Sequence, residues 1–90
     1  MTPNEIAEKA RQMIADKPEL EAPMRVEWGT VCDMIDERAK NSLSTYPLHE
    51  LKTNLVRARL AMLTAFVEGK SMDEARTAAL VAAGFEVSAP

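Results

Sequence analysis

The sequence predicts an all-α fold, a small bundle of about four helices built on a long antiparallel helical hairpin. Three observations carry this prediction. Apolar residues recur at steps of three and four along four separate stretches, near 3–16, 22–42, 47–68 and 72–83. Pro3, Pro18, Pro23, Pro47, Gly69 and Gly84 mark the ends of those stretches, while Gly29 falls inside one. The chain is 47% hydrophobic yet holds only four aromatic residues, Trp28, Tyr46, Phe66 and Phe85, so Leu, Ala, Met and Val must fill the core. That filling suits helix-on-helix packing better than a β sandwich. Ninety residues make one domain. A domain this small buries roughly two thirds of its unfolded surface, and a second copy would be a natural supplement to its core.

Thr2-Pro3-Asn4-Glu5 spells a helix start: a threonine cap, a proline at the first helical position and a glutamate three residues after the cap. The first helix then sets Ile6, Ala7, Ala10, Met13 and Ile14 on one face. It ends near Asp16 or Lys17, because Pro18 disfavours an α conformation in the residue before it. So short a helix needs docking to be stable.

Residues 17–22 read as a connector between Pro18 and Pro23. Proline is tolerated in the first turn of a helix, which starts the second helix near Glu21–Pro23. Its stripe is Met24, Trp28, Val31, Ile35 and Ala39, with Cys32 at the edge and Asp33, Asp36 and Glu37 off it. Arg38 and Lys40 complement the dipole in its last turns. Gly29 costs about 1 kcal/mol against alanine in a helix interior.

After the loop 41–46, Pro47 opens the third helix and Gly69 closes it. This helix carries two apolar sets, Leu48, Leu51, Leu55, Ala58, Met62 and Ala65 on one side and Val56, Leu60, Leu63 and Val67 on another. Lys52 and Arg59 lie between the two sets. Two stripes imply packing from two sides and mark it as the central helix. Ser71 and Glu74 form a second capping box. The fourth helix presents Met72, Ala75, Ala79, Ala82 and Ala83 inward, and Gly84-Phe85 fits a left-handed ending with a hydrophobic contact. Residues 86–90 are expected to fray. The short loop between the two longest helices makes them an antiparallel hairpin.

Charge narrows the function classes. A net charge of −3 and a pI near 5.1 argue against a general nucleic-acid or anionic-membrane surface. Residues 1–45 hold six basic and nine acidic side chains, while 46–90 hold five of each. A single cysteine, Cys32, allows neither an intrachain disulfide nor a cysteine-rich zinc site, and in an apolar stripe it reads as a small buried hydrophobe. Glu5, Glu8 and Lys9 stand where a secretory signal would place an apolar run, and no apolar segment reaches 18 residues, so a cytoplasmic location is expected.

No catalytic, cofactor-binding or metal-binding residues are expected, and the chain reads as non-enzymatic. His49 is the lone histidine, with no partner or pocket signalled around it. Asp33, Asp36 and Glu37 have helical spacing, but no Glu-x-x-His sequence on another helix completes a di-metal set. Three glycines make no phosphate loop.

Two binding readings follow. Residues 61–83 resemble helix-turn-helix spacing through Ala65, Gly69, Ser71, Ala75 and Ala78. The would-be recognition helix, however, opens with Asp73 and Glu74 and offers only Arg76 to a base, so nucleic acid is the alternative reading. The favoured reading is a protein–protein interaction module, a self-associating adaptor or an inhibitor of a larger protein, with a homodimer expected. Its contact residues would be Met24, Trp28, Val31 and Ile35, because Trp and Met are favoured at interfaces. Lys52 and Arg59 would orient the partner, and Arg59 is expected to pair with Asp36 or Glu37 across the hairpin.

Overall fold

The computed structural model describes residues 2–41 and 48–85. Four α-helices account for most of them: α1 (Pro3–Asp16), α2 (Glu21–Asn41), α3 (Leu48–Val67) and α4 (Met72–Ala82). The connector before α2 is a 3-10 turn, Pro18–Leu20, that runs directly into it. The expected opening of α3 at Pro47, the side chains of Leu48 and His49, and the tail after Phe85 lie outside the described residues.

Four of the helix ends have a clear local cause. The Glu5 amide donates to Thr2 Oγ1 at 3.2 Å, and the Glu74 amide donates to Ser71 Oγ at 3.2 Å. In both caps the glutamate carboxylate returns to the capping hydroxyl, at 3.2 Å in the first and 3.1 Å in the second. At the end of α3, Gly69 takes φ 82°, its amide reaches the Phe66 carbonyl and the Lys70 amide reaches the Ala65 carbonyl. Gly84 repeats that ending with φ 91°, and the Phe85 amide reaches the Leu80 carbonyl. These are Schellman endings, which use glycine because the left-handed residue carries a Cβ penalty.

Helix α3 is central. It packs against α1, α2 and α4, most extensively against α4. The start of α2, at Met24 and Trp28, faces Met62 and Leu63 in the second half of α3, so these two helices run antiparallel. Helix α4 runs parallel to α2, since Glu27 meets Arg76 and, eleven residues on, Arg38 meets Gly84. The core lies where the four meet: Ala10, Met24, Val31, Ile35, Ala58, Met62, Ala65 and Phe66, with Ala75, Ala79 and Leu80 from α4. Small residues on both α3 and α4 allow the close approach of that pair. Burying Phe66 alone contributes on the order of 1.5–3 kcal/mol.

The second stripe of α3 departs from expectation. Val56 is 69% exposed, and Leu60, Leu63 and Val67 are only partly buried. Neighbouring helices cover one side of α3 and the edges of the next, leaving an outward face that retains apolar groups. Phe66, which belongs to neither expected stripe, is buried instead.

Candidate functional site

The six residues singled out as a contact surface divide in the fold. Val31 and Ile35 have no exposed surface and belong to the core of the monomer. A stripe of strictly regular spacing turns inward along its whole middle, and nothing in the spacing separates core from interface. Met24, Trp28 and Arg59 instead come together around one apolar depression of about 210 Å³.

Three helices build the depression. Helix α1 contributes Ile14, α2 contributes Met24 and Trp28, and α3 contributes Met62 and Leu63. Met24 is nearly fully buried and Trp28 is half-buried, so the indole forms part of the wall. The rim is charged, formed by Glu21, Arg25 and Arg59. Glu21 and Arg25, one helical turn apart, are paired with each other. Arg59 is exposed and makes no ion pair with a described residue. Lys52 is also exposed and precedes Arg59 by two turns, about 10 Å along α3.

The expected pair of Arg59 with Asp36 or Glu37 does not form among the described residues. Arg59 and Asp36 both act on Cys32 instead. Burial raises the Cys32 thiol above its ordinary pKa, Asp36 and Asp33 raise it further, and Arg59 pulls it down. The thiol is half-buried and stays protonated near neutral pH, which leaves it a poor nucleophile.

The cross-helix ion pair that does form joins α2 to α4. Arg76 Nη1 contacts Glu27 Oε2 at 3.2 Å, with side chains 37% and 18% exposed, and Arg76 Nη2 contacts Asp73 at 3.2 Å. A second fastening lies further along: Arg38 donates to the Gly84 carbonyl at 3.0 Å and lies 4.7 Å from the centre of the Phe85 ring. The sequence signals only local roles for these residues, because a contact 46 or 49 residues away has no periodicity to announce it.

Among the described residues, no group of three His, Cys, Asp or Glu side chains is placed to hold a metal ion, and no helix is long and apolar enough to cross a membrane. Comparison with known protein families, curated proteins and solved structures yields no match.

Proposed function

We propose that the protein is a non-enzymatic protein–protein interaction module of the cytoplasm, an adaptor or an inhibitor of a larger protein, and that its contact site is the depression between α1, α2 and α3. The observation that carries this reading is the meeting of a half-buried Trp28 with Met24, Met62 and Leu63 beneath the guanidinium of Arg59, which has no ion-pair partner among the described residues. At about 210 Å³ the depression is smaller than the roughly 300–1,000 Å³ of small-molecule sites. It is the size to take one anchoring side chain, the arrangement found at interface hot spots.

The occupant is an apolar side chain on a partner protein, with an Asp or Glu within reach of Arg59. The indole and thioether groups supply contact area, and Arg59 supplies orientation and discrimination. In parallel capture experiments, a specific partner is retained by the native chain and lost from Arg59→Glu while the far-UV circular dichroism of both is the same. Identical sets of retained proteins would remove the depression from the contact site. The DNA-binding reading of residues 61–83 is less well supported. Arg76 is engaged by Glu27 and Asp73, and the first turn of α4 carries two carboxylates toward any approaching phosphate.

A further inference from the structure

The outward face of α3 is self-complementary. Arg57, Ala61, Thr64 and Glu68 follow one another at steps of four, three and four, so they form a single line along the helix. Arg57 and Glu68 are exposed, and neither makes an ion pair with a described residue. Between them the line is made of small side chains. The Thr64 hydroxyl donates to the Leu60 carbonyl at 2.7 Å, so it brings no unpaired donor to this face. Beside the line run Val56, at 69% exposure, and the partly buried Leu60 and Val67. The line itself, together with Leu60, forms one wall of an open groove of about 490 Å³ whose opposite wall carries Ala78 and Ala82 of α4.

A two-fold interface brings residue i against residue j and, by symmetry, j against i. Antiparallel pairing of α3 with α3 of a second copy about a point near residue 62 satisfies this face three times over. Arg57 with Glu68, Val56 with Val67, and Leu60 with Thr64 are each centred on residues 61–63. Opposite charges therefore meet at both ends, apolar groups meet beside them, and Ala61 and Thr64 sit at the crossing, where small side chains permit close approach. Parallel pairing would set Arg57 against Arg57 and Glu68 against Glu68.

We infer that the protein forms a two-fold homodimer in which the outer face of α3, from Val56 to Glu68, packs antiparallel on its copy along the mouth of the α3–α4 groove. The groove and the Trp28 depression share no lining residue, so each copy keeps that depression open, and the dimer presents two.

Sedimentation equilibrium of the full chain and of three variants tests this. The native chain sediments as a concentration-dependent dimer. Arg57→Glu and Glu68→Arg each place like charges together twice and weaken dimerisation about tenfold or more. The Arg57→Glu/Glu68→Arg double variant restores opposite charges and recovers native dimerisation. Unchanged circular dichroism in all three shows that the effect is at the interface. Arg59→Glu leaves the dimer intact, which separates this test from that of the partner site. A native chain that stays monomeric throughout, single variants that dimerise normally, or a double variant that fails to recover would overturn the inference.

Discussion

Ile35 has no exposed surface, and truncating it to alanine removes three carbon atoms from the buried stripe of α2. Large-to-small changes of this kind cost about 2–5 kcal/mol, through lost transfer free energy and the cavity left behind. The whole stability of a domain this size, at roughly 0.05–0.15 kcal/mol per residue, is about 5–13 kcal/mol. A middle value of about 3 kcal/mol therefore removes roughly a quarter to three fifths of it. With an unfolding entropy of about 2.1 cal/mol/K per residue, or about 190 cal/mol/K for the chain, Tm falls by about 16 °C. The assay is urea and thermal unfolding followed by circular dichroism, at one fixed protein concentration because self-association adds to apparent stability. The urea midpoint should drop with little change in slope. A loss under about 1 kcal/mol, combined with weakened association, would refute the placement of Ile35 in the core and return it to a contact surface.

Three further outcomes follow from the geometry. A methyl group at Gly29 meets nothing within 4 Å, and the position is a helix interior, so Gly29→Ala should stabilise by about 0.5–1 kcal/mol, read as a rise in the urea midpoint; a fall would mean that something approaches that backbone. A double-mutant cycle on Glu27→Gln and Arg76→Gln should give a coupling of about 0.5–1 kcal/mol, the range for a pair that is only partly shielded from water; zero coupling would place the pair's worth in packing alone. The raised Cys32 pKa means that the folded chain keeps a proton that the unfolded chain releases, so its contribution to stability is complete below the ordinary thiol pKa of about 8.5 and declines as pH rises beyond it. Iodoacetamide should accordingly react more slowly with the folded than with the unfolded chain at pH 8, faster with Asp36→Asn, and more slowly still with Arg59→Ala; the reverse order of the two variants would contradict the electrostatic arrangement around the thiol.

Helix positions were legible because their signals are local. The Thr2 and Ser71 caps, the two closing glycines and Pro23 in the first turn of α2 each act within a few residues, and each stands where sequence grammar puts it. Periodicity likewise identified the inward stripe of α2 and the Ala58–Met62–Ala65 edge of α3. It could not report how many neighbours a helix has. Val56 and Leu63 belong to one stripe, yet Leu63 meets the depression beside α1 and Val56 faces outward. The Glu27–Arg76 and Arg38–Gly84 contacts depend on how α4 lies against α2, a matter of packing angle that no spacing encodes. For the proposed contact site the sequence names residue types, Trp, Met and Arg, while burial decides which of them reach the surface.

On the proposed function, the depression at Trp28 is open in the free chain and filled in the complex. Trp28 is the only tryptophan of the chain, so fluorotryptophan incorporated there reports on this one wall by fluorine NMR without interference from an unlabelled partner. Titration with the protein captured by the native chain should move that resonance and abolish its sensitivity to solvent, and Arg59→Glu should shift the titration to higher partner concentration. A resonance that keeps its position and solvent sensitivity at saturation would show that the partner binds elsewhere and would contradict the account.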